Sequence, residues 1–179
     1  LKPWPDTEYR GWYLGAWVPP TGLHPPDPAS IHLVNNCFLS HCYAMMARIA
    51  RVLGRESDVA GYQRKHEALN ALVHDTFFHR QKGSYASGSQ IDLIYPMLVG
   101  ATPSSSLADV KETLFQETAG RFRGHLATGL VGISILTQWA TQHQEAGFVY
   151  SMLKKRTYPG YLYMIDHGAT LTWEEWDGE

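Results

Sequence analysis

The sequence predicts an all-α chain built as a sector of an α/α toroid, with inner and outer helices alternating along it. Three observations predict this. From Asn35 onward, apolar residues recur at helical spacing through six segments joined by short connections. The first, third and fifth segments are apolar on most sides, whereas the second, fourth and sixth carry a single apolar stripe. A helix that is apolar all round has to be enclosed, a striped one covers an outer surface, and short connections make consecutive helices antiparallel hairpins. A solenoid or an irregular bundle would share part of this pattern, but no fixed repeat occurs, which argues against the solenoid.

The first segment, Asn35 to Leu53, carries Phe38, Leu39, Cys42, Tyr43, Met45, Met46, Ile49 and Ala50, and Gly54 follows as a C-terminal stop. Ser57 begins the second, reaching Phe78 with a stripe of Val59, Tyr62, His66, Leu69, Val73 and Phe77. The third, Gln90 to Val99, is short and nearly all apolar, with Pro96 implying a kink or an early stop. The fourth, Leu107 to Thr118, places Leu107, Val110 and Leu114 on one side. Gly129 to Thr141 returns to uniform apolarity through Leu130, Val131, Ile133, Ile135, Leu136 and Trp139, and Glu145 to Lys155 is one-sided again. Residues 1–34 read as an irregular opening segment, 35–157 as the six helices, and 158–179 as a turn and tail of the same partial domain.

Inner helices of such a toroid run parallel, so the stretches leading into them meet at one edge. Those stretches are Tyr13-Leu14-Gly15-Ala16-Trp17, Tyr85-Ala86-Ser87-Gly88-Ser89-Gln90 and Gly124-His125-Leu126-Ala127-Thr128-Gly129, with the tail from His167 as a fourth. Loops gathered on one side of a rigid scaffold are where sites are built, and helix N-termini there favour polar ligands.

Hydrophobic residues make up 44% and charged residues 18% of the 179, a globular balance that excludes disorder. With 15 basic against 17 acidic residues, no footprint for nucleic acid and no polybasic membrane patch stands out. The cluster Lys154-Lys155-Arg156 falls at a helix end, where the dipole favours cations. Cys37 and Cys42 are five apart in a helix and face away from each other, and Cys37 with His41 is too small a ligand set for a metal, so both read as core packing. No cofactor or metal is expected. No apolar run reaches membrane-spanning length and no signal peptide is present; the chain begins at Leu1 rather than Met, so a processed or truncated product is expected and the compartment stays open.

The tail sets two carboxylates between two tryptophans, Trp173-Glu174-Glu175-Trp176. Carboxyl groups beside aromatic rings are what glycoside cleavage uses: one protonates the leaving oxygen or activates water, while apolar rings hold the sugar face and raise a pKa. The same pair at a helix start also serves capping and packing.

The string Gly168-Ala169-Thr170-Leu171-Thr172-Trp173-Glu174-Glu175-Trp176-Asp177-Gly178 resembles the Gly-Ala-Thr-Thr-x-Trp-Glu-x-Trp signature of the inverting α-L-rhamnosidases. Gly15-Ala16-Trp17, Gly88-Ser89-Gln90, Gly124 to Gly129 and Tyr158-Pro159-Gly160-Tyr161 agree with that family in order and spacing. The resemblance implies about half of an (α/α)6 barrel catalytic domain and the cleavage of terminal α-L-rhamnose with inversion. It implies Glu174 as the general base that activates water, with Trp17 and Trp173 shaping the rhamnose pocket. Tyr85, Gln90 and His125 join the candidate set as residues of the gathered approaches, His125 being equally open to a structural role. Gly15-Ala16-Trp17 stands where relatives often carry Gly-Asp-Trp, Thr172 and Leu171 are permuted, and Glu175 replaces a common Arg.

Inversion also needs a general acid, about 6.5–9.5 Å from the base. No stretch here matches the family's acid, which leaves Asp6, Glu8, Asp27 and Asp92 as substitutes. The expectation is a fragment that carries the base and is inactive alone. The alternatives are a non-catalytic carbohydrate-binding half-toroid, or another α/α-toroid glycosidase or lyase. Half a toroid leaves inner helices uncovered, so rhamnose-containing glycosides and either self-association or docking with the other half of the barrel are the expected partners.

Overall fold

Asp27 opens the first helix: its carboxylate accepts from the Ala29 amide at 3.1 Å, and Pro28 takes a first-turn position where its missing N–H costs nothing. In the computed structural model, which describes residues 15–20 and 27–178, α1 therefore runs Pro28–Val52, beginning well before Asn35 inside the stretch read as irregular. Gly54, at φ +68°, turns the chain into α2, Glu56–Phe77. A two-rung hairpin follows, β1 at Phe78–His79 against β2 at Ser84–Tyr85, around a 3₁₀ turn that the helical pattern gave no sign of. Then come α3 (Gln90–Leu98), α4 (Ser104–Ala119), α5 (Leu130–Gln142), α6 (Ala146–Leu153) and α7 (Tyr161–Asp166). The tail segment read as turn and motif thus contains a short helix.

Packing follows the predicted alternation. α3 touches α1 on one flank and α5 on the other, while α2 backs α1, α4 backs α3 and α6 backs α5. Outer helices α4 and α6 are joined by the Phe115 and Phe148 rings, 4.7 Å between centroids, and by the Lys111–Glu145 ion pair. Every residue of α3 from Gln90 to Met97 is buried, because an inner helix with neighbours on both flanks has no solvent face. Leu33, Cys37, Leu93, Ile94, Leu136 and Trp139 form one continuous core with it.

The same logic corrects one expectation. α1 is apolar on most sides yet is not enclosed: Phe38 is 57% exposed and Ile49 46% exposed. Its neighbours α2 and α3 cover part of its circumference, and no helix among the described residues covers the rest. No helix among the described residues is long and apolar enough to cross a membrane.

Candidate functional site

Hydrogen bonds fix the relative direction of the inner helices. Ser30, in the first turn of α1, donates to Asp92 Oδ1 in the first turn of α3 at 2.5 Å. Gln90, at the start of α3, donates to the His125 carbonyl at 3.0 Å and accepts from the Ala127 amide at 2.7 Å, both just ahead of α5. The three inner helices thus run parallel with their N-termini at one edge. The Gly15–Pro20 stretch joins that edge, its Trp17 carbonyl accepting from the Leu130 amide of α5 at 3.0 Å. The region after α6 joins it as well, since the Tyr158 hydroxyl donates to the Pro20 carbonyl at 2.7 Å.

Between these pieces lies a groove of about 210 Å³, with Val18 and Pro20 on one side and Tyr158, Glu175 and Trp176 on the other. It puts the residues that follow Trp17 opposite those that follow Glu174. Trp17 is half-buried and, with Val18, sits in left-handed backbone at φ +36° and +50°, a conformation that clusters at functional sites. Trp173 is half-buried against the core, and Gly178 closes over its ring so tightly that a Cβ there would lie 3.0 Å from it. Trp176 is buried beside Tyr161, ring centroids 5.4 Å apart. These two anchored rings hold the intervening Glu174, which is exposed. Burial, and after it the Asp177 carboxylate, push the Tyr158 phenol up from its ordinary pKa, so it stays a hydroxyl donor at neutral pH.

The other candidates sit at this edge but face inward. Gln90 is fully buried, and its amide also donates to Thr118 Oγ1 at 3.1 Å, so both of its polar atoms are engaged by protein. Tyr85 is fully buried, its hydroxyl 2.7 Å from His74 Nδ1, and burial pushes its pKa up to about 12. His125 is buried with Nδ1 against the Phe122 and Arg123 carbonyls and Nε2 2.7 Å from Thr157 Oγ1. Two carbonyls at Nδ1 require the proton there, so Nε2 accepts from the threonine. The three tie inner-helix starts to their surroundings, whereas Trp17 and Trp173 are half-buried and Glu174 is exposed. A hollow of about 520 Å³, lined by His66, His74 and Asp75 of outer helix α2 and by Gly100 and Ala101 beyond α3, lies away from this edge.

Of the substitute acids, Asp6 and Glu8 lie outside the described residues, and Asp27 caps α1. Asp92 is fully buried, accepting from Ser30 and from the Ser87 hydroxyl (2.6 Å) and amide (3.1 Å). Burial raises its pKa, and the donors from Ser30, Ser87 and Ser89 only partly offset that. The folded chain therefore holds the Asp92 proton more tightly than the unfolded chain does. The stability linked to that proton is complete below the ordinary carboxylate range, near pH 4, and is lost as pH rises through the raised pKa. The stability of Asp92→Asn relative to the parent is accordingly expected to improve from pH 4 to pH 7 in urea unfolding; a difference independent of pH would mean that the carboxyl is not desolvated.

Two residues of this edge escaped the sequence. Tyr158 read as part of a turn in a stretch that agrees with the family, with no sign that it bonds across to Pro20. Gly129 read as the last residue of the approach to the fifth helix, with no sign that it lies against the backbone of Trp17. Both contacts are long-range, and no periodicity signals them.

The family described as bacterial alpha-L-rhamnosidase 6 hairpin glycosidase domain matches residues 2–179. An alpha-L-rhamnosidase of Formosa agariphila is 25% identical over 145 residues, 81% of this chain and 16% of that protein. The solved alpha-L-rhamnosidase from Dictyoglumus thermophilum superposes with a TM-score of 0.82 at 27% identity, covering 90% of this chain and 18% of that one. That of Streptomyces avermitilis, complexed with L-rhamnose, gives 0.78 at 23% identity, covering 91% and 15%. The chain thus spans less than a fifth of the length of these relatives.

Proposed function

The chain belongs to the bacterial α-L-rhamnosidase six-hairpin glycosidase domain family, and on that premise we propose that it carries the water-activating half of a rhamnoside-cleaving site. Glu174 is the general base: its carboxylate takes a proton from water as the water attacks the anomeric carbon, which inverts that centre. Trp17 and Trp173 flank the sugar ring, and the second carboxyl, which protonates the leaving oxygen, comes from elsewhere in the barrel. The observation that carries this is the groove, which sets the segment bearing Trp17 against the one bearing the exposed Glu174. The relative solved with L-rhamnose supports that sugar as the ligand. Tyr85, Gln90 and His125 hold the edge together rather than touch sugar, which is what their burial supports. The uncovered face of α1 is met by a further inner helix, packed as α1 packs on α3.

The test is L-rhamnose binding followed by calorimetry, together with turnover of an aryl α-L-rhamnoside followed by NMR of the released anomer. This chain is expected to bind L-rhamnose with Kd of about 1 mM, to keep that binding in Glu174→Gln, to lose it in Trp17→Ala, and to hydrolyse nothing. Absence of binding sinks the proposal; turnover that vanishes in Glu174→Gln would place the acid within this chain.

A further inference from the structure

We propose that Gly129 is a positioning residue for Trp17, fixing its backbone beside the groove by leaving room for the Trp17 carbonyl on the first amide of α5; this rests on Trp17 being a sugar-pocket residue.

Gly129 has φ −84° and ψ −167°, a conformation any residue adopts, so what the position requires is space. A Cβ there would lie 1.5 Å from the Trp17 carbonyl oxygen and 2.1 Å from that of Ala16. Both obstacles are backbone, which cannot swing aside as a flexible side chain does. The close approach lets the Leu130 amide, one of the N-terminal donors α5 cannot satisfy itself, bond the Trp17 carbonyl at 3.0 Å. That bond has work to do, because Trp17 and Val18 both occupy the left-handed region, where L residues stay only when their surroundings hold them. The holds are α5 on one side, rooted in the core by Ile135, Leu136 and Trp139, and the Tyr158 hydroxyl on Pro20 on the other.

The prediction separates into two variants that reach the same contact differently. Gly129→Ala pushes the carbonyl away. Leu130→Pro removes only the donor, since proline suits the first helical position, Gly129 has the extended conformation a following proline prefers, and the Leu130 side chain is half exposed. Side-chain indole signals would be followed in ¹⁵N-labelled protein, with Trp17 identified by its loss in Trp17→Phe, during titration with L-rhamnose. Both variants are expected to move the Trp17 signal and weaken L-rhamnose binding about 10-fold, while Leu130→Ala, which keeps the donor, behaves as the parent. Gly132→Ala is the control: its Cβ would strike the Thr128 side chain, at 1.5 Å, and so disturbs α5 without touching Trp17. If Gly129→Ala fails to fold, Leu130→Pro still decides. An unchanged Trp17 signal with parental affinity in Leu130→Pro overturns the proposal. A parent that binds no L-rhamnose, with the Trp17 signal still displaced in Leu130→Pro, sinks the sugar-pocket assignment and leaves the positioning role standing.

Discussion

Gln90→Leu is expected to lower the unfolding free energy by about 3 kcal/mol, because leucine fills the volume of glutamine but leaves its partners without it. The Ala127 amide loses its acceptor, and the His125 carbonyl and Thr118 hydroxyl lose their donor, all in surroundings where Gln90 itself is fully buried. A buried polar group deprived of its partner costs about 1–3 kcal/mol, and relaxation recovers part of that for three neighbouring groups. Denaturant unfolding should show a lower midpoint at unchanged slope. Hydrogen exchange should show the Ala127 amide losing protection well before the core of α3 does. A cost below about 1 kcal/mol would mean that water reaches these groups, and that the amide is open to a ligand after all. The experiment therefore discriminates between a clamp and a contact, two roles that look alike in a sequence string such as Gly88-Ser89-Gln90.

That ambiguity marks where sequence reasoning stopped. The alternation of enclosed and striped helices was legible because burial imposes a period, and the inner row α1, α3, α5 with its outer partners follows from it. The gathering of the inner-helix approaches at one edge followed in turn, since parallel helices put their starts together. Boundaries were less legible, yet not for want of signal: Asp27-Pro28 is an N-cap followed by a first-turn proline, and it starts α1 where the apolar pattern is still faint. α7 was hidden because Tyr158-Pro159-Gly160 reads as a turn and six residues are too few for a periodic pattern to register. Within the candidate site, the resemblance to rhamnosidase motifs pointed to Trp17, Trp173 and Glu174. What they could not give is which polar residues look inward. Tyr85, Gln90 and His125 have the residue types of ligand contacts, and only the positions of Thr118, Ala127, His74 and Thr157 around them show their bonding capacity already used.

The second large effect concerns the state of association. An inner helix with neighbours on both flanks, as α3 has, exposes none of its residues from Gln90 to Met97. α1 has the same apolar character but leaves Phe38 57%, Met46 39% and Ile49 46% exposed, at i, i+8 and i+11, one continuous helical face. Solvent contact of an apolar side chain of that size is disfavoured by roughly 1–2 kcal/mol, so several on one face supply a driving force that a lone surface leucine does not. Only another apolar helix face of similar pitch can cover it, packing into its ridges as α3 does on the other flank. Among the described residues of the 20.2 kDa chain, α1 of a second copy offers such a face. Light scattering is therefore expected to give at least twice the chain mass at about 50 μM, and Phe38→Glu with Ile49→Glu to return it to the single-chain mass. Neither side chain is part of the buried core, so the double variant should unfold at nearly the parent's denaturant midpoint. A parent that stays at the single-chain mass at millimolar concentration would mean that α1 tolerates its open flank, and that the alternation of inner and outer helices does not by itself demand a further inner neighbour.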